Sequence, residues 1–176
     1  MGSSLTVVMP VFNEAKNLSQ ALAQTVATLE GQALPYEVII VNDGSHDDTD
    51  IIARHLAESS PKVKYISHAV NQGIGGAFRS GVEAAVMDYI ILIPADNPLL
   101  PEDLSAFYPH MGKTDVIAGS RVERTGYPAS LRFLSYVYNR ILVPLLFHIP
   151  LKDVNWIQMY RRSVFHDWGV KFIKDF

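Results

Sequence analysis

The sequence predicts an α/β fold with a mostly parallel central sheet and helices on both of its faces. Three observations carry that prediction. Short apolar runs, bounded by turn residues, alternate with longer stretches whose apolar residues recur at helical spacing. The order strand, helix, strand, helix is the signature of βαβ units. The chain has 176 residues, 48% of them hydrophobic and 19% charged, enough for one buried core.

Each element has its own reason. Residues 5–9 form a short apolar run that stops at Pro10. Residues 15–30 place Leu18, Leu22, Val26 and Leu29 along one helical face. YEVIIV, residues 36–41, is a second strand, and Asn42-Asp43-Gly44-Ser45 is the turn after it. Ser45, with Asp48 three residues on, marks a helix start, and residues 50–58 continue it. Residues 63–67 make a third strand, and a helix runs from Asn71 to about Met87. YIILI, residues 89–93, is the most hydrophobic strand. Pro101 suits the first turn of the next helix. A fifth strand covers residues 115–119. A long helix over residues 130–147 sets Leu131, Leu134, Val137, Tyr138, Ile141 and Leu142 on one face. A last strand is expected at residues 154–160. With no repeat or linker, one domain over residues 1–176 is expected.

Composition excludes several classes. The net charge of −3 gives no electrostatic case for nucleic acid. The absence of cysteine rules out disulfides and thiolate metal sites and fits a reducing compartment. The opening MGSSLTVVMPVF lacks a basic n-region and a long apolar stretch, so no signal peptide is expected. The apolar run at residues 141–151 is broken by Pro144, His148 and Pro150 and falls short of the ~20 residues of a membrane span. A cytoplasmic location is therefore expected. The six histidines show no i, i+4 pair that would suggest zinc. GIGGAFRSG follows the third strand rather than the first, which argues against a dinucleotide fingerprint.

Right-handed crossovers put all parallel strand C-terminal ends on one edge, where ligands of open α/β sheets bind. The residues falling there are Pro10, Asn13 and Glu14, then Asn42, Asp43 and Ser45, then Asn71 and Gly73, then Asp96, then Ser120 and Arg121. Such an edge mixes carboxylates, amides and a guanidinium. A nucleoside diphosphate with a divalent cation needs this mixture: amides and carboxylates for base and ribose, a carboxylate for the metal, arginine for the leaving diphosphate.

These stretches resemble the motifs of family 2 glycosyltransferases, in order from residue 5 to about 165. VVMPVFNEAKNL is similar to the family's strand followed by Pro-x-Tyr-Asn-Glu, and EVIIVNDGSHDDT to its Asp-Asp-Gly-Ser-x-Asp-x-Thr motif. NQGIGGAFRSG is similar to its Asn-x-Gly helix start, and IPADNPLLPEDL occupies the place of its Asp-x-Asp metal motif. GSR, LRFLSYVYN and LKDVNWIQMYRR resemble polyprenol-phosphate sugar synthases. The resemblance implies a GT-A fold, in a catalytic domain that lacks its C-terminal portion. It implies inverting transfer of a sugar from a nucleoside-diphosphate sugar to a polyprenyl or dolichyl phosphate or a saccharide, in envelope polysaccharide or glycolipid synthesis.

The resemblance also implies roles. Pro10, Phe12 and Glu14 line the base and ribose site, Asn42 and Asp43 contact base or ribose, and Asn71 and Gly73 shape the pocket wall. Asp96 holds Mg²⁺ or Mn²⁺. Arg121 and Arg132 face the diphosphate and an acceptor phosphate, and Asp153 sits on the donor-sugar or acceptor side. The sequence departs from the pattern at four places. Phe12 replaces tyrosine, Asn42 replaces the first Asp of the second motif, Pro94 replaces the first Asp of Asp-x-Asp, and Pro98 stands where Gln is common. A catalytically weak nucleotide-sugar-binding domain is the alternative these departures leave open. SYVYNRILVPLLFHIPL reads either as a core helix or as an amphipathic helix lying at the inner face of a membrane.

Overall fold

The computed structural model describes residues 3–96, 101–120, 129–147 and 157–167. In chain order these contain β1 (Leu5–Val11), α1 (Leu18–Glu30), β2 (Tyr36–Asn42), α2 (Thr49–Glu58), β3 (Val63–Ser67), α3 (Gly73–Ala84) and β4 (Tyr89–Leu92). They continue with α4 (Pro101–Ser105), β5 (Val116–Ala118), α5 (Ala129–Val137), α6 (Val143–Phe147), β6 (Gln158–Arg161) and α7 (Ser163–Asp167). The chain divides into two compact units, one of Met1–Ile117 with Met159–Phe176, the other of Ala118–Gln158.

The strands form a sheet in the order β3-β2-β1-β4-β6-β5. β1 pairs in parallel with β2 and with β4, and β2 with β3, while β6 runs antiparallel to β4. Every residue of β2 is buried. Successive strand residues point to opposite faces, so burial of the whole strand means that both faces of the sheet are covered. This is why the strands read as continuous apolar runs. One face packs Val8, Ile39, Val41 and Ile90 against Ala77, Val82 and Ala85 of α3 and its C-terminal end. A Cβ at Gly81 would lie 2.3 Å from a methyl of Val8, so glycine lets α3 seat directly on β1.

A buried carboxylate ends that helix. Glu37 accepts from the Thr6 hydroxyl (2.7 Å), from the Val86 backbone N–H (2.8 Å) and from Lys64 Nζ (2.7 Å). Burial pushes its pKa up, but Lys64, Val86 and Thr6 together outweigh burial and hold it below the usual carboxylate range. Because Glu37 takes the Val86 N–H, the chain turns extended at Ala85, and α3 stops at Ala84 rather than near Met87.

The expected long helix over residues 130–147 is α5, a π-helical turn (Tyr138–Leu142) and α6. Pro144 explains the interruption. It offers no N–H, and its ring clashes with the carbonyl four residues back, so the chain widens there by one residue. The Val143 N–H bonds to the Tyr138 carbonyl across that wider turn. Leu134, Tyr138, Ile141 and Leu142, expected on one apolar face, are exposed. The last strand is β6, and residues 154–156 of its expected range lie outside the described residues.

Candidate functional site

After β1 the chain passes to β2 and β3 on one side, then returns to β4 on the other side of β1. A sheet that reverses in this way splays its loops apart at the reversal, leaving a crevice outside the strand C-terminal ends. A cleft of about 220 Å³ lies there. Its lining includes Pro10, Phe12 and Glu14 from the end of β1, Asp43 after β2, and Pro94 and Asp96 after β4. Asn71, Gly73 and Ile74 come from the entry to α3. Pockets enclosing a drug-sized ligand measure roughly 300–1,000 Å³, so this cleft is large enough for part of such a ligand. Phe12 and Ile74 are exposed within it, at 42% and 62%, and offer apolar surface to a flat ring. Glu14, Asp43 and Asp96 make it acidic.

The loops bearing these residues are fastened to each other. Asn13 adopts φ +56, a left-handed conformation that asparagine tolerates better than most residues. Its side chain accepts the His46 N–H (2.8 Å), and its own N–H goes to Ser45 Oγ (2.9 Å). The Glu14 N–H goes to Thr49 Oγ1 (2.8 Å), and the Ala15 N–H to Asp47 Oδ2 (3.2 Å). The motifs FNEA and GSHDDT thus form one hydrogen-bonded clamp. The carbonyl of Glu14 accepts from Asn17 and Leu18 across a turn at residues 15–17, and α1 begins at Leu18 instead of Ala15.

Gly44 turns the chain at φ +73, and a Cβ there would lie 2.7 Å from the Asn71 nitrogen. The turn after β2 therefore packs backbone against backbone on the entry to α3. Asp43 is tied to the same segment. Its Oδ1 accepts the Gln72 N–H (2.9 Å) and lies 2.7 Å from His68 Nδ1.

The structure gathers most of the predicted site. Pro10, Phe12, Glu14, Asp43, Asn71, Gly73 and Asp96 all line the one cleft. Asn42 does not. It is 2% exposed, and its amide is engaged inside the protein, accepting the Ser45 N–H (3.1 Å) and donating to Asp50 and Tyr65 (both 3.2 Å). It braces the turn that presents Asp43. Asp50 anchors this group, bonded to the Tyr65 hydroxyl and to Arg54 (2.8 Å). The Arg54 guanidinium, followed by Tyr65, holds Asp50 down at about 2. Arg121, Asp153 and Pro98 lie outside the described residues, and Arg132 falls in α5 without a described side chain. Asp47, Thr49 and His68 were not singled out by sequence. The first two belong to the quoted motif. His68 had one available signal, its place just past a strand C-terminal end.

These features define an open-sheet α/β protein with an acid-lined ligand cleft at its switch point. The chain belongs to glycosyl transferase family 2, whose family model matches residues 6–169. It is 29% identical over 132 residues, 69% of this chain, to a dolichyl-phosphate beta-glucosyltransferase of Trichomonas vaginalis. It is 32% identical over 131 residues, 66% of this chain, to the Homo sapiens dolichyl-phosphate beta-glucosyltransferase. The matches span 39% and 40% of the lengths of those two relatives. Among solved structures it resembles glucosyl-3-phosphoglycerate synthase of Mycobacterium tuberculosis in complex with Mn²⁺, uridine diphosphate and phosphoglyceric acid. The TM-score is 0.67 at 20% identity, covering 93% of this chain and 57% of that one. The fold is GT-A, as the motifs implied.

Proposed function

We propose that this chain forms the donor-binding part of an inverting glycosyltransferase, which moves a sugar from a nucleoside-diphosphate sugar to a polyprenyl or dolichyl phosphate, or to a saccharide. The observation that carries this reading is the convergence of Glu14, Asp43 and Asp96, from three separate loops, in one cleft at the switch point. The two relatives named above act on dolichyl phosphate, which supports the lipid-phosphate acceptor.

In this reading Phe12 and Ile74 flank the base, and Asp43 and Glu14 accept hydrogen bonds from base or ribose. Asp96, exposed at the cleft, faces the diphosphate. The donor set suits Mg²⁺ or Mn²⁺. No cluster of three or more metal-binding side chains occurs among the described residues, and these ions commonly bind through one or two carboxylates plus substrate phosphates. When bound, such an ion neutralises charge on the diphosphate. Arg121 and Arg132 are assigned to the leaving diphosphate and an acceptor phosphate, and Asp153 to the donor-sugar or acceptor side. The acceptor oxygen bonds to the anomeric carbon from the face opposite the diphosphate. The bond from that carbon to the diphosphate breaks, and the nucleoside diphosphate departs. A phosphate acceptor is already ionised, so this transfer needs no general base.

No described helix is long and apolar enough to cross a membrane. Contact with a lipid acceptor is assigned to α5, the π turn and α6, where Tyr136, Tyr138, Leu145 and Leu146 are exposed.

Calorimetric titration of UDP and GDP, with and without Mn²⁺, tests the reading. Wild type should bind one of them more tightly with the metal, and Asp96→Ala should bind equally with and without it. A metal response that survives in Asp96→Ala removes Asp96 from the diphosphate site. A transfer assay with polyprenyl phosphate then separates an active enzyme from a domain that only binds.

A further inference from the structure

We propose that His68 is a positioning residue for the cleft: it fixes which oxygen of Asp43 faces the nucleotide. The inference rests on the nucleotide reading of the cleft given above.

His68 and Asp43 side chains are 7% and 6% exposed. Asp43 lines the cleft, whereas His68 stands behind it and does not. His68 Nδ1 lies 2.7 Å from Asp43 Oδ1, and His68 Nε2 lies 2.9 Å from Ser80 Oγ. The Gln72 backbone N–H reaches the same Oδ1 at 2.9 Å. An ionised carboxylate only accepts hydrogen bonds, so Nδ1 carries a proton; in the neutral ring Nε2 then accepts from the Ser80 hydroxyl. The imidazole is therefore held at both ends. The segment after β3 and the entry to α3 meet at one carboxylate oxygen, and Ser80 of α3 braces it through the imidazole.

Two donors fill the accepting capacity of Oδ1. Oδ2 is left as the acceptor for a nucleotide N–H or O–H, and a rotated carboxylate would forfeit both bonds to Oδ1. A buried carboxylate released from such donors loses its fixed direction. Ser80, His68 and Asp43 stand in the order of a hydrolase triad, but Ser80 does not line the cleft and meets no ligand there. The arrangement orients a binding group.

The test is calorimetric titration of UDP and of GDP into wild type, Asp43→Ala, His68→Phe, His68→Asn and Ser80→Ala, with thermal melts confirming folding. Asparagine places an amide N–H near the position of Nδ1; phenylalanine does not. His68→Phe should bind the preferred nucleotide roughly tenfold more weakly, with His68→Asn recovering to within about threefold of wild type. Ser80→Ala, which frees the ring to turn, should lose roughly threefold. If Asp43→Ala binds like wild type, the nucleotide reading of the cleft fails. If Asp43→Ala weakens binding while a folded His68→Phe does not, or while His68→Asn is as weak as His68→Phe, the positioning role alone is overturned. Should His68→Phe not fold, unchanged affinity in Ser80→Ala overturns it.

Discussion

Replacing Gly44 by alanine tests whether the turn after β2 shapes the cleft. Two costs add at this position. The first is conformational: φ is +73, and a non-glycine residue held there costs about 1–2 kcal/mol. The second is steric. The new Cβ would lie 2.7 Å from the Asn71 nitrogen and 2.8 Å from the Val70 carbonyl carbon, about 0.7 Å short of ordinary contact in the tighter case. Both are backbone atoms, so no side chain can swing aside, and one segment must move. Asp43 precedes the turn and Asn71 and Gly73 follow the contact, so either movement displaces cleft residues. The conformational cost alone predicts a melting temperature lower by roughly 2–8 °C, and nucleotide affinity should fall with it. Gly112→Ala is the control. It stands at φ +81, where a Cβ would meet only Ser3 Oγ at 3.6 Å, and it does not line the cleft. It should be destabilised by a similar conformational cost yet bind nucleotide as wild type does. If Gly44→Ala loses stability but binds like wild type, the backbone contact does not shape the cleft.

Two further outcomes follow from other parts of the molecule. Asp50 titrates at about 2 when folded, against about 3.9 when unfolded. Its contribution to stability is thus fully present above about pH 4 and is lost as pH falls toward 2. Asp50→Asn should flatten the dependence of melting temperature on pH across that window, and an unchanged slope would show that the pair with Arg54 does not differ between the folded and unfolded states. On the second unit, Leu145 and Leu146 are exposed at 69% and 64%. The double change to glutamate should reduce co-sedimentation with anionic phospholipid vesicles by roughly tenfold or more, and equal binding by both proteins would place lipid contact elsewhere.

How far the sequence revealed the fold depended on where each signal was held. The strands were legible because full burial on both faces leaves apolar runs such as YEVIIV and YIILI. Their common edge followed from crossover handedness, and with it the cleft grouping of Glu14, Asp43 and Asp96. The start of α1 was placed too early because the periodic apolar residues begin only at Leu18, and residues 15–17 form a turn whose neighbours Glu14 and Ala15 are bound to Thr49 and Asp47 of the next loop. The break in the long helix was readable at Pro144, yet the apolar face argued for continuity. The antiparallel direction of β6 leaves no trace in a four-residue strand. Asn42 looked like a ligand group because of its position in the motif, but in the fold its amide turns toward Asp50. His68 stayed hidden for the same reason, since its pairing with Asp43 spans 25 residues.

The mutual clamp between the loops after β1 and β2 has a consequence for recognition. Loops that wait for a ligand to organise them surrender much of the contact energy to that ordering. Here Asn13, Glu14 and Ala15 after β1 and Ser45, His46, Asp47 and Thr49 after β2 complete their bonds across the two loops, so on the reading proposed above a nucleotide meets a finished mould. Selectivity on this side of the cleft would then come from shape already set, before any ligand arrives.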